Sequence, residues 1–537
     1  MSCLNRVILA GLLILLATTR VAWSIEPNAP ETLISQDEAI VVAIRQRLDT
    51  LPDSKAYRAN EDRDALGQFY TEKGRALWVD EAGLTDRAKA IVAEIQKANS
   101  WGLDASRYAL PATDASANLS GSELIELEMT MSLAILKYAR HARGGRMDPR
   151  ELSLAIDRTP PLEDPKVVLA SLYEADEPAT YLRDLHPKHE QFGKLRLAYL
   201  KALEDEARPP AEQPKEVEET DATSKKVKKK RKTKRSKKKR RPKTKLSKRL
   251  LYNMEMWRWM PRELGTKHVW ANIPEYRFRV IKGGEVIHAE RIVIGKVKNK
   301  TPIFSDEMET IVFHPFWGVP NSIKVKEILP SLVRGGNVLE KQNLRMSYGG
   351  RPVDPYSVDW TTTDIRKFHV FQPPSRRNAL GIVKFLFPNK HAVYMHDTPS
   401  KHLFKRKARA FSHGCVRVRD PLKLAEVLLN HDKGWNRSKI NALVDNGPKN
   451  NQISLENKYP VHMTYFTARI GDGGKPVLFK DIYGHEKLIQ MGLDGKAHLI
   501  VKRKPNLDSA RRRVVSNSGG SFYKKKNSTW MEQIFGN

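Results

Sequence analysis

Two periodicities divide this chain. From residue 35 to about 145, apolar residues recur at three-to-four spacing, the mark of helices with one buried face. The segment SQDEAIVVAIRQRLDTL opens with Ser35 and Asp37 as candidate caps. RDALGQFYTEKGRALWVDEAGL and TDRAKAIVAEIQKANSWGLDASRY continue the pattern, broken at Gly74 and Gly102. A further helix, SELIELEMTMSLAILKYARHARGG, stops at Gly144-Gly145. Phe69, Tyr70, Trp78, Trp101 and Tyr108 are expected as core aromatics. No catalytic cluster gathers here, so residues 25–203 read as a helical scaffold domain.

After Leu250 the period falls to two. HVWANIP and EYRFRVIKGGEVIHAERIVIG alternate apolar and polar positions about Gly283-Gly284, a hairpin signal. Strand-like runs follow at METIVFHPFWGVP, RKFHVFQPP, GIVKFLFPN, HAVYMHD, YPVHMTYFTARI and GKPVLFKDIYG. Many short strands punctuated by Gly and Pro predict a curved sheet or barrel-like fold over 250–504. Two helices should decorate it, NSIKVKEILPSLV and DPLKLAEVLLNHD, the second capped by Asp420 with Pro421 in its first turn. The expected fold class is multidomain α+β.

Between the two halves the pattern disappears. Residues 204–221 are acidic and contain Pro, and residues 225–249 hold 18 Lys or Arg and no acid. So few apolar side chains cannot offset the entropy of ordering, and 204–249 is expected as a disordered linker. The basic tail, 505–537, is expected to be flexible.

The chain has 537 residues, 40% hydrophobic and 29% charged, which leaves ample length for real cores. Its net charge of +32 suggests a nucleic-acid binder. Without the 18 linker cations it is +14 (32 minus 18), so over half the charge sits in one segment. Residues 1–24 point elsewhere: Arg6 gives a positive n-region, VILAGLLILLA an apolar core, and Ala22-Trp23-Ser24 a cleavage site near Ser24. That run is short of the ~20 residues a membrane span needs, although an uncleaved anchor is the alternative. The expectation is a soluble, exported protein with no nucleic-acid partner. The tract Lys225–Arg249 then reads either as a solvated spacer or as a tether to anionic envelope polymers or lipid headgroups, worth about 1 kcal/mol per cation at a membrane surface.

Export gives the cysteine count its meaning. There are two cysteines, and Cys3 lies in the segment to be removed. Cys415 is then alone, with no intramolecular disulfide to form. A lone thiol kept in an oxidising compartment favours a chemical role. Ser412-His413-Gly414-Cys415 leads into the short strand VRV, and His396, 19 residues earlier, ends the strand HAVYMH. Acyl transfer through a thioester needs a thiolate, a base and oxyanion donors. Cys415 would be the nucleophile and His396 the base, with the oxyanion held by backbone N–H groups around His413, Gly414 and Cys415. Asp397 would orient His396 through its carbonyl or its carboxylate. The main chemical alternative is zinc held by His391, His396, His402, His413 and Cys415, but their spacing fits no common zinc pattern. A purely structural cysteine is the other. No metal and no cofactor is expected.

HAVYMHDTP followed by AFSHGCVRVRDP resembles the active-site signature of the L,D-transpeptidases (the YkuD-type catalytic domain). MWRWMP, NIPEYRF, GKVKNKTPIFS, HPFWGVPNSI and PVHMTYFTA resemble the large, multidomain periplasmic branch of that family, and FYTEKGRALW, WGLDASRY and KYARHARGGRMDP its helical scaffold. The resemblance implies a cysteine enzyme that cross-links peptidoglycan 3→3 through a thioester with the donor tetrapeptide stem, releasing D-alanine. It implies Cys415 as nucleophile and His396 as base, oriented by the Asp397 carbonyl. His413 and Gly414 would shape the oxyanion site, Tyr394, Ser412 and Arg417 would contact substrate, and a lid would lie within about 359–411. Donor and acceptor stem peptides are the implied partners. A carboxypeptidase, or an enzyme attaching an envelope protein to peptidoglycan, would use the same residues. A non-enzymatic wall-binding protein is the reading from another class, and the intact Ser-His-Gly-Cys argues against it. Where that branch usually carries a small peptidoglycan-binding domain, this chain has its charged linker.

Overall fold

A computed structural model describes residues 36–112, 119–208, 244–502 and 506–516. The expected signal peptide and most of the basic tract lie outside the described residues. Helices Gln36–Thr50, Ala59–Lys73, Asp86–Gln96 and Gly121–Gly144 form the first unit. Gly74 ends its helix at φ 66°, a left-handed cap that costs glycine nothing. Ser120 and Glu123 close a capping box on the longest of these helices. Phe69, Tyr70, Trp78 and Tyr108 are buried as expected, and Trp101 partly so. One stretch departs from the helical reading: Val79–Asp80 and Gly83–Leu84 form a small hairpin. The buried carboxylate of Glu128 decides this, because it accepts the backbone N–H groups of Leu77, Trp78 and Val79 at 2.7–3.1 Å and so takes them out of a helix.

The second half is a nine-stranded sheet that closes on itself. Strand Glu285–Gly295 pairs antiparallel with Val416–Val418, which lies parallel to Met395–His396. Val383–Leu386, Phe304–Phe313, Asn451–Thr464 and Lys267–Asn272 follow in order. Arg277–Lys282 then pairs back onto Glu285–Gly295, completing the ring. The short strand Ala410–Ser412 adds on beside Ile294 and Gly295. The barrel-like expectation holds, and helix Pro421–Lys433 carries its Asp420 cap.

Three boundaries differ from those expected. Helix Glu190–Ala207 runs past residue 203, and helix Leu246–Arg258 begins inside the presumed linker, with Ser247 and Arg249 buried. Charge density concealed this turn. Ser247 donates to Glu206, and Arg249 pairs with Glu486 and donates to the Phe479 carbonyl, so each polar side chain finds a partner. The two helices pack together, with Phe192, Leu195, Tyr199 and Ala202 joining Leu250, Met254 and Trp257 in the barrel's core. Each fully buried large side chain is worth roughly 1.5–3 kcal/mol, whereas a buried ion pair such as Arg249–Glu486 spends much of its attraction on desolvation. Apolar burial therefore carries this junction.

The second difference is the lid. A separate lobe runs from Trp317 to Leu380, with its own four-stranded sheet and its own core around Val325, Ile328, Leu329, Trp360, Ile365 and Val370. Of the expected 359–411, only the first part belongs to it. Residues 383–386 and 395–396 are barrel strands, and 397–409 form a loop that packs Leu403 and Phe404 on Val293. The third is the tail. Helix Leu507–Ser516 docks on the lobe, where Asp508 pairs with Arg366 at 2.8 Å and Arg511 donates to the Thr362 carbonyl. Residues 517–537 lie outside the described residues.

Candidate active site

Register places the site. Met395 pairs with Val416 and His396 with Arg417 across parallel strands, so side chains alternate in step. Met395 and Val416 enter the main core. Tyr394, His396, Cys415 and Arg417 therefore share the opposite face, beneath the lobe. Lys384, register partner of His396, is half-buried on that face.

His396 is 5% exposed, and its Nδ1 bonds the Asp397 carbonyl. A carbonyl can only accept, so Nδ1 carries the hydrogen and Nε2 keeps its lone pair. Burial, with the Arg417 charge behind it, pushes the imidazole down to about 3. His396 is thus held in its neutral form. The Asp397 carboxylate has other work: it accepts Ile382 N–H at 3.1 Å and pairs with Lys401. A side chain at Gly381 (φ 61°) would collide with that carboxylate, which explains the glycine there.

Cys415 is half-buried, and its thiol lies 3.8 Å from the Ala392 carbonyl. The Tyr394 backbone and hydroxyl, its own N–H and the Arg417 charge all favour the thiolate, but burial outweighs them and raises the thiol. The resting pair is therefore thiol and neutral imidazole. Tyr394 is partly buried, bonds Trp317 as well as the sulfur, and joins the barrel to the lobe. Arg417 is 3% exposed, its Nε and Nη1 have no hydrogen-bond partner, and burial brings it down to about 10. An unpaired guanidinium at that depth is costly unless a ligand anion completes it.

The Ser412–Cys415 turn is fixed internally. Ser412 Oγ donates to the Cys415 carbonyl at 2.6 Å and accepts Gly414 N–H at 3.2 Å, while Thr301 Oγ1 donates to the Gly414 carbonyl at 2.7 Å. Gly414 needs its φ of 128° for this turn, and its N–H is spent there. Gly414 thus shapes the loop, with its N–H directed to Ser412. His413 turns its Nε2 to Glu327 of the lobe at 2.8 Å. Glu327 sits in a π-helical turn, Lys324–Ile328, a distortion common at functional sites. The histidines weighed as zinc ligands diverge, with His391 on Asp157, His413 on Glu327 and His402 exposed. Among the described residues no three His, Cys, Asp or Glu side chains gather to hold a metal.

Sequence reasoning missed Trp317, Glu327, Thr301 and Ala392. Each lies far from Cys415 along the chain, and Ala392 acts through a carbonyl that every residue possesses.

Against known families, residues 266–444 match the L,D-transpeptidase catalytic domain. This chain therefore carries an L,D-transpeptidase catalytic domain. Residues 64–198 match the Scaffold domain, which fits the helical first half. A Haemophilus influenzae (strain ATCC 51907 / DSM 11121 / KW20 / Rd) protein named "Putative L,D-transpeptidase" is 32% identical over 224 residues, 42% of this chain. The match spans 45% of that relative's length. Cys415 and His396 lie inside the matched transpeptidase domain, His396 ending one barrel strand and Cys415 in the turn directly before that strand's parallel neighbour.

Proposed function

We propose that this L,D-transpeptidase domain is a cysteine acyltransferase that forms 3→3 cross-links in peptidoglycan after export to the cell envelope. The observation that carries the reading is His396 on strand Met395–His396 and Cys415 in the turn that opens its parallel neighbour Val416–Val418, with the imidazole tautomer set by the Asp397 carbonyl. In the first half-reaction, His396 Nε2 takes the thiol proton as Cys415 Sγ attacks the carbonyl of the L,D bond in a donor tetrapeptide stem. The C–N bond breaks, His396 returns the proton to the amine, and D-alanine leaves. In the second, an acceptor amine attacks the thioester, giving up its proton to His396 and restoring the thiol. Arg417, across His396 from Lys384, would take a donor carboxylate. The Tyr394 hydroxyl lies at the sulfur, and Ser412 holds the loop that presents it.

Incubating the mature protein with a tetrapeptide-stem disaccharide and resolving the products by mass spectrometry tests this. Cross-linked dimer with free D-alanine is expected. Tripeptide alone would mean that water takes the thioester and the enzyme is a carboxypeptidase, and no product at all sinks both. The basic tract Lys225–Arg249 is proposed to hold the enzyme near anionic envelope polymers or lipid. Deleting residues 225–243 should abolish salt-sensitive pelleting with cell walls or anionic vesicles, and unchanged pelleting would leave it a spacer.

A further inference from the structure

We propose that Asp157, from a stretch of the scaffold half that packs on the barrel, is a positioning residue for the Cys415 thiol, acting through His391 and the Ala392 carbonyl. The inference rests on Cys415 being the nucleophile.

The loop that presents Ala392 is under strain. Ala392 has φ 50°, a left-handed conformation that costs a non-glycine residue about 1 kcal/mol or more. Asn389 holds the loop from one side: its amide donates to the Phe387 and Val393 carbonyls at 2.6 and 2.7 Å, and its oxygen accepts the His391 and Val393 N–H groups. On the other side the anchor comes from outside the transpeptidase domain. Asp157 Oδ2 meets His391 Nε2 at 2.7 Å, and Oδ1 meets Lys390 Nζ at 2.7 Å. One carboxylate therefore clamps the two residues that precede Ala392.

Asp157 is itself rigidly placed. Ile156 bridges Ile303 in parallel register, Ile303 N–H donates to Ala155, and Asp157 N–H donates to Ile303, both at 2.8 Å. Arg158 next to it is buried, bonding Ser305 and the Met463 carbonyl. This strap also reaches the far wall of the nucleophile turn. Thr301, two residues before Ile303, bonds both Gly295 N–H and the Gly414 carbonyl. Residues 155–158 thus brace the 301–303 segment under Gly414 and the 390–392 segment facing the sulfur.

The chemical consequence concerns the thiol's orientation. The Ala392 carbonyl accepts the S–H, so it selects the rotamer from which Cys415 reacts. Without the Asp157 clamp, Ala392 can relax from its strained conformation and release the thiol, while the surfaces proposed to bind substrate remain. Misplacement of a reacting group by about 1 Å can cost up to ~100-fold in rate. A scaffold-borne carboxylate at this point also gives the scaffold a part in acyl transfer.

The test uses the full-length mature protein and a carbapenem as acylating probe, with adduct formation followed by intact mass. Asp157→Ala, Asp157→Asn, His391→Ala and the Asp157→Ala/His391→Ala pair are compared with wild type across probe concentrations. The expected result is a saturating acylation rate about tenfold lower in Asp157→Ala, with the half-saturating concentration unchanged. Asp157→Asn, which keeps an acceptor oxygen, should fall between. The double variant should be no slower than His391→Ala alone, since the two act as one unit. A wild-type rate in Asp157→Ala, or losses that add in the double variant, overturns the proposal. If Asp157→Ala does not fold, Asp157→Asn decides, and a wild-type rate there also overturns it. Wild type forming no adduct, or Cys415→Ala forming one, overturns the nucleophile assignment and the proposal with it. An adduct in wild type with an unaffected Asp157→Ala rejects only the Asp157 link.

Discussion

Replacing Cys415 with Ala is expected to eliminate acyl transfer, lowering turnover by at least about 10⁴-fold, since removing a covalent nucleophile leaves only binding and oriented dipoles. The variant should also lose the carbapenem adduct while keeping its melting temperature within a few degrees. Cys415 is half-buried in a turn whose hydrogen bonds run through Ser412, Gly414 and Thr301 and the Cys415 backbone, and Ala retains all of these. An adduct that survives the substitution would move the nucleophile elsewhere. His396→Ala should retain residual alkylation that rises with pH, because the thiol then ionises without a base. Burial raises that thiol, so the rise should continue past the ordinary cysteine range.

The second large effect is acid lability. Burial brings His396, His462 and His485 each down to about 3 in the folded protein. An unfolded histidine titrates near 6.5. Below that value the unfolded chain binds more protons than the folded one, so stability rises with pH. It is complete above pH 6.5 and is lost as pH falls toward 3. One such group contributes a slope of about 1.4 kcal/mol per pH unit, and three together about 4. Between pH 7 and pH 5 the loss is then roughly 6 kcal/mol, comparable with the whole stability of many domains. Urea unfolding at the two pH values, read by tryptophan fluorescence, should show the midpoint collapse. His485 offers a clean control: neither ring nitrogen has a hydrogen-bond partner, and the ring packs against Tyr465 and Tyr483. His485→Phe should fold and flatten the slope by about 1.4 kcal/mol per pH unit. A midpoint that does not move between pH 7 and pH 5 would refute the account.

Much of the fold was legible along the chain because its cues are local. Helix caps, the two hydrophobic periods and the Gly-Gly hairpin lie within a few residues of what they specify. The sequence alone also determined the nucleophile and base as candidates, since a lone cysteine in Ser-His-Gly-Cys and a histidine at a strand end are short-range patterns. Composition was a poorer guide at the edges. The basic tract hid the start of a buried helix at Leu246, because a charge count cannot see Glu206 and Glu486 waiting as partners. The tail hid a docked helix, Leu507–Ser516, for the same reason.

Only the tertiary structure decided what surrounds the pair. Parallel pairing of Met395–His396 with Val416–Val418 put Tyr394, His396, Cys415 and Arg417 on one face, and no local pattern encodes which strands become neighbours. It assigned the Asp397 carbonyl to His396 and the carboxylate to Ile382 and Lys401, two roles that spacing left open. It brought Glu327 to His413 and Asp157 to His391 across 86 and 234 residues of chain. Such contacts depend on closing long loops around a finished barrel, so they follow from the fold as a whole and from no stretch of sequence within it.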